Sequence, residues 1–188
     1  MRKSLVFIIT VAIVAVVAVM LVRAARNDDN RYGPISATPL STPDLQFVAT
    51  AAEANDAEVE IADLAQSTTK NPELKQFAER IEADHKQSNR ELMEIADKKD
   101  ADFPGSIGLP GRTDAQKLEY DRLDALDGAE FDRVWIDHMV TEHQKAVDLY
   151  TSQGTRAADT DVKAFADRSL PVLRAHLQEA KRLQAAVR

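Results

Sequence analysis

Beyond Pro43 the chain keeps one pattern: apolar residues return at three- and four-residue spacing, and no useful stretch alternates apolar with polar. This spacing predicts helices and no strands. The first helix starts near Asp44, a suitable N-cap before "LQFVATAAEANDAEVEIADLAQ", and runs to about Ser67. Its apolar stripe is Val48, Ala51, Ala52, Val59, Ala62 and Ala65, with Glu58 among them. The second begins at Pro72, favoured in a first turn, and reaches about Lys98 along Leu74, Phe77, Ala78, Ile81, Leu92 and Ile95. "KDADFPGSIGLPGRTD" ends it and leads into a short helix from Asp114 to about Leu126, which Asp127-Gly128 breaks. The third long helix covers about Ala129 to Ser152, with Gly154 expected to stop it, and buries Phe131, Trp135, Met139, Ala146, Leu149 and Tyr150. The fourth extends from Thr160 to Val187 along Val162, Phe165, Ala166, Leu173, Leu177 and Ala180, with a kink expected at Pro171.

Long helices with one apolar stripe each bury those stripes together, so the fold class is an all-α four-helix bundle over residues 44–188. Roughly thirty residues separate the second and third long helices, where an up-down bundle needs only a few. That length suits a crossover running the whole bundle, which is ferritin-like connectivity. A lid packed over one end is the other arrangement it allows.

The N-terminus follows a different rule. After Arg2 and Lys3, the run from Leu5 to Val22 carries no charge, about the length a tilted helix needs to span a bilayer. Residues 1–26 therefore read as a transmembrane anchor or signal segment. The apolar run exceeds that of a signal peptide, and Val22-Arg23-Ala24 is a poor cleavage site, which favours an uncleaved anchor over export after cleavage. The expected location is the inner (cytoplasmic) membrane, single-pass, with the C-terminal domain outside the cytoplasm. Residues 27–43, "NDDNRYGPISATPLSTP", have linker composition.

Composition narrows the chemistry. A net charge of −7, from 24 Lys and Arg against 31 Asp and Glu, leaves no basic field for a nucleic-acid backbone. The membrane is the partner the sequence points to. No cysteine is present, which removes disulfides, thiolate metal sites, iron–sulfur clusters and cysteine nucleophiles. There is no phosphate-binding glycine loop, no nucleophile elbow and no His-Glu-x-x-His pair, so no catalytic motif points to an enzyme.

The chain holds 4 histidines, and the helix phases place three of them inward. At about 100° per residue His85 lies within about 20° of the centre of its stripe, and His176 lies on the stripe of the last helix. In "VWIDHMVTEH", His143 and Glu142 flank the buried face on opposite shoulders, and His138 sits near its edge. Glu58, His85, His143 and His176 also each fall within about three residues, or roughly 5 Å, of the middle of their own helix. A mid-helix position stays central whichever way the helix runs. One acid and three imidazoles thus converge on a single layer, the donor set of a transition-metal site for zinc, copper or iron.

Other readings stand beside it. The four groups also fit a hydrogen-bonded polar layer that fixes helix register in a structural or interaction module of the envelope. A redox enzyme would need an open position and a second metal. Met139, one turn before His143, is either a soft copper ligand or core filler. Glu82 and Glu142 are either supports for a second metal or flank charges. Asp84 and Asp137 read as surface acids. Only "EADH", Glu82 to His85, has the Glu-x-x-His spacing of di-iron carboxylate bundles; Val140 and Leu173 stand where the other histidines would need acids.

The stretches "NDAEVEIADLA", "FAERIEADHKQSNREL", "LDGAEFDRVWIDHMVTEHQKAVDLY" and "SLPVLRAHLQEAKRL" resemble the bacterial domain-of-unknown-function family 4142 over residues 44–187. The resemblance rests on Glu58, Asp84-His85, Phe131-Asp132, Glu142-His143 and Leu170 to Leu177, with Asn55 standing where glycine is common. It implies a ferritin-like fold and an envelope location, and it brings no established activity.

Overall fold

In this computed structural model the described residues are 39–101 and 113–187. The expected membrane anchor, residues 1–26, and residues 27–38 of the expected linker lie outside them. Among the described residues there are five helices and no strand, and no helix is long and apolar enough to cross a membrane.

α1 (Thr42–Thr68) starts two residues before the Asp44 expected to cap it. Ser41 is the cap, its Oγ accepting from the Asp44 amide at 3.3 Å, and Pro43 sits in the first turn where its missing N–H costs nothing. Asp44 is buried and serves another helix. Its carboxylate accepts from Gln153 Nε2 at 2.7 Å and from the Ala158 and Asp159 amides at 3.2 and 3.0 Å. The start of α1 is thereby tied to the turn between the last two helices.

α2 (Pro72–Lys98) is capped by Asn71 and ends as expected. α3 (Asp114–Asp124) opens on a reciprocal capping box between Thr113 and Gln116. α4 (Gly128–Arg156) begins at Gly128, whose φ of +54° favours glycine, and runs past Gly154 instead of stopping there. A Cβ at Gly154 would lie 2.6 Å from Asp167 Oδ1, and the Gly154 carbonyl accepts from Lys163 Nζ. This glycine is a close approach between α4 and its successor, not a terminator. α5 (Thr160–Val187) continues through Pro171.

The long helices pack most extensively as α1 on α2 and α4 on α5, with thinner seams joining α1 to α4 and α2 to α5. α3 lies over the α1–α4 side. Two apolar clusters fill the interior. One gathers Ile61 and Ala65 of α1, Phe77 and Ile81 of α2, Trp135 and Met139 of α4, and Ala180 and Leu183 of α5. The other gathers Phe47 and Ala51 of α1, Leu92 and Ile95 of α2, Tyr150 of α4, and Val162 and Phe165 of α5.

Those memberships fix the directions. The C-terminal halves of α1 and α5 share one end with the N-terminal halves of α2 and α4. Hence α2 and α4 run parallel on a diagonal, and the end of α2 and the start of α4 lie at opposite ends of the bundle.

Every stripe residue predicted on α2 and α5 is buried. On α1, Ala52 and Val59 are only half-buried, and Phe47, Ile61 and Leu64 take the core instead. Alanine on most sides of α1 leaves its phase poorly marked, and the larger side chains decide, because burying each contributes about 1.5–3 kcal/mol.

Candidate metal centre

Between the two apolar clusters lies one polar layer, made by one side chain from each long helix. Glu58, His85, His143 and His176 are 5%, 4%, 0% and 3% exposed, so they must find their partners almost entirely within the protein. Glu58 Oε2 stands 3.1 Å from His85 Nε2 and 3.5 Å from His143 Nε2, and His143 Nε2 stands 3.3 Å from His176 Nδ1. One nitrogen from each of the three imidazoles lies within 4.8 Å of the other two.

The outward face of each ring decides what the inward nitrogen carries. His143 Nδ1 lies 3.0 Å from the Met139 carbonyl oxygen, which only accepts, so Nδ1 is the protonated nitrogen and Nε2 holds a lone pair. His176 Nε2 lies 2.8 Å from Asp84 Oδ2 and donates to it, leaving the lone pair on Nδ1. For His85 the assignment runs through a relay from the surface. Asp56 accepts from Asn89 Nδ2 at 2.5 Å, Asn89 Oδ1 accepts from Asn55 Nδ2 at 2.8 Å, and Asn55 Oδ1 therefore accepts from His85 Nδ1 at 2.7 Å. His85 Nε2 then has a free lone pair too.

Four electron-pair donors consequently face one another with no hydrogen between them. Glu58 Oε2 and His85 Nε2, although 3.1 Å apart, have no hydrogen-bond partner among the described residues. Two facing acceptors repel, and a buried orphan acceptor costs about 1–3 kcal/mol. A cation at their common focus removes both penalties. Corners about 2.0–2.1 Å from a tetrahedral centre are about 3.3 Å apart; three of the six edges measure 3.1, 3.3 and 3.5 Å, while the mutually close set is the three imidazoles, within 4.8 Å of one another.

Protonation states agree with this geometry. Burial acts to raise the Glu58 carboxyl, but once His143 and His85 are protonated their charge, and a hydrogen bond from His85, outweigh it and hold the carboxyl at about 2. Burial pushes His143 below the ordinary imidazole range, only partly opposed by Glu58. Burial, followed by the neighbouring His143, pushes His176 down to about 4. At neutral pH Glu58 is therefore an ionised carboxylate and His143 and His176 are neutral imidazoles, the forms that ligate metals.

The remaining candidates fall elsewhere. Glu82 binds Gln66 and Lys86 on the surface, and Glu142 pairs with Lys145 at 2.8 Å. Met139 is fully buried in the apolar cluster beside Trp135, and what it gives the centre is its backbone carbonyl. His138 sits outside the layer, 3.3 Å from Glu119 Oε1 on α3. Two residues that sequence reasoning passed over hold the centre in place: Asn55, read only as a substitute for glycine, and Asp84, read as a surface acid. Asn55 lies one turn before Glu58, which is a signal its spacing offered. Asp84 serves a histidine on another helix, and no spacing within α2 announces that.

The family model described as "Domain of unknown function (DUF4142)" matches residues 31–183. The chain belongs to this family. DUF4142 carries no assigned activity, and no curated protein matches the sequence. Among solved structures, this DUF4142 chain is similar to a DUF305 fragment from Deinococcus radiodurans, at 15% identity and a TM-score of 0.68, over 79% of this chain and 99% of that one. It is also similar to CopM in its Cu(I)-bound form, at 21% identity and a TM-score of 0.62, over 74% and 93% of the two chains. For CopM in its Cu(II)-bound form the values are 20% and 0.64, over 76% and 96%. At these identities the likeness is one of fold.

Proposed function

We propose that this protein binds one transition-metal cation at the waist of a ferritin-like bundle, through Glu58, His85, His143 and His176, and that it buffers or sequesters the metal without turning over a substrate. One observation carries the reading. Every outward imidazole N–H is already given to an oxygen, which leaves three nitrogen lone pairs and a carboxylate oxygen aimed at one buried point. A layer that only fixed helix register would pair donors with acceptors across the bundle. Here acceptors meet acceptors.

The parallel α2–α4 diagonal supports the ferritin-like connectivity. Three imidazoles and one carboxylate serve Zn(II), Cu(II) and Fe(II) alike. CopM, similar in fold, has been solved with Cu(I) and with Cu(II), which makes copper the first metal to test. Four protein donors close a tetrahedral site, the arrangement of holding, not of catalysis. The charge-free run from Leu5 to Val22 adds the proposal that the domain is tethered to the membrane and works outside the cytoplasm.

The test is metal stoichiometry in single variants. His85→Ala and His176→Ala each abolish one-to-one binding in equilibrium dialysis, while His138→Ala retains it. Full retention after both of the first two substitutions refutes the assignment.

A further inference from the structure

The donors are enclosed, and the packing leaves one side by which to reach them. Along the bundle axis the layer is stopped at both ends. Phe77 packs edge-on against His176 with ring centroids 6.3 Å apart, backed by Trp135, and Tyr150, Phe47 and Phe165 stack at the other end. The α1–α2 and α4–α5 seams are the extensive ones. The thinner α1–α4 seam is covered by α3, whose Leu123 is fully buried and whose Gln116 bonds the Glu53 carbonyl.

Only the α2–α5 seam is both thin and uncovered among the described residues. A cavity of about 220 Å³ lies there, with His85 and His176 among its lining residues. At about 30 Å³ per water it has room for roughly seven waters, enough for a hydrated cation. Its rim is exposed and mostly polar: the Asp84 side chain is 43% exposed and Glu91 meets Arg168 at 3.3 Å across the seam, with Val172, 42% exposed, as an apolar member. Two carboxylates against one guanidinium leave the mouth negative, which favours a cation's approach.

We propose that this α2–α5 cavity is the port through which a hydrated transition-metal cation reaches the buried donors, with the Asp84 carboxylate at its mouth as the first protein group it meets. The proposal rests on the four-donor reading. Asp84 touches the cavity and accepts from His176 at once, so the residue that greets the ion also orients a ligand. The cation sheds water against the imidazole edges and passes inward between His85 and His176.

Stopped-flow uptake of Co(II) by the metal-free full chain tests this through the rates. Val172→Trp and Ser169→Trp, both at the cavity, are expected to slow association and dissociation by at least about tenfold, an added barrier of about 1.4 kcal/mol, while Kd stays within about twofold. Val172→Ala is expected to accelerate both. Leu118→Trp, on exposed α3 over the opposite seam, serves as the control and keeps wild-type rates. Wild-type rates in both cavity tryptophan variants, or slowing in Leu118→Trp instead, overturn the port while the metal site stands. Absence of Co(II) uptake by the wild-type chain overturns the four-donor reading, and the port with it.

Discussion

Glu58→Gln separates a metal centre from a structural polar layer because the two give opposite signs. In the metal-free protein at pH 8, above the ordinary imidazole value, Glu58 is a buried carboxylate facing imidazole lone pairs, and Oε2 and His85 Nε2 both lack partners. Glutamine keeps the shape, removes the charge and supplies an amide N–H that donates to His85 Nε2. Satisfying that pair recovers about 1–3 kcal/mol, and losing a buried charge adds in the same direction. The variant without metal is thus expected to be about 2 kcal/mol more stable than wild type. Metal reverses the order. A neutral amide replaces an anionic ligand, and a tenfold weaker Kd removes about 1.4 kcal/mol of metal-induced stabilisation at fixed free metal. Urea denaturation with and without saturating zinc measures both effects. A metal-free Glu58→Gln protein less stable than wild type, with the zinc increment unchanged, would refute the reasoning, since Glu58 would then be a satisfied member of a structural network.

Asn55→Leu removes the acceptor that fixes the His85 tautomer, and loss of such an outer partner typically weakens metal binding by about 10–100-fold; isothermal titration that finds wild-type affinity would contradict the relay from Asp56. Metal-free stability depends on pH in two windows. Folded His176 is held at about 4 while the unfolded imidazole titrates near 6.5, so the unfolded state takes up the proton first and stability falls as pH drops from about 6.5 to 4, by about 3 kcal/mol for that group, with His143 adding in the same sense. Where the imidazoles carry protons, their charge holds Glu58 at about 2, so in that acid range its ion pairing adds stability that is lost as pH falls toward 2. Urea midpoints recorded from pH 8 to pH 4 check the first window, and a flat profile contradicts neutral, buried imidazoles.

The sequence showed what periodicity and length control, and concealed what depends on contacts between helices. α2 and α5 were readable to the residue because each carries one apolar stripe of large side chains, while the long linkage allowed either a crossover or a lid, and only the helix directions favour the first. That Glu58, His85, His143 and His176 share one layer was legible because phase and mid-helix depth are independent constraints that agree only there. Asp44 looked like a cap because its residue type favours one, yet its carboxylate is committed to amides at the start of α5, more than a hundred positions away. Gly154 looked like a terminator, yet a neighbouring helix needed the space. Asp84 shows the limit most clearly. It is adjacent to one ligand in sequence and bound to another in space, and only the docking of α2 against α5 joins them.

X-ray absorption on the metal-loaded protein tests the central claim most directly, because it counts the atoms around the ion. With zinc bound, the account predicts a four-coordinate shell of three imidazole nitrogens and one carboxylate oxygen at about 2.0–2.2 Å. A shell of five or six oxygens carrying no more than one imidazole would place the metal elsewhere and contradict it.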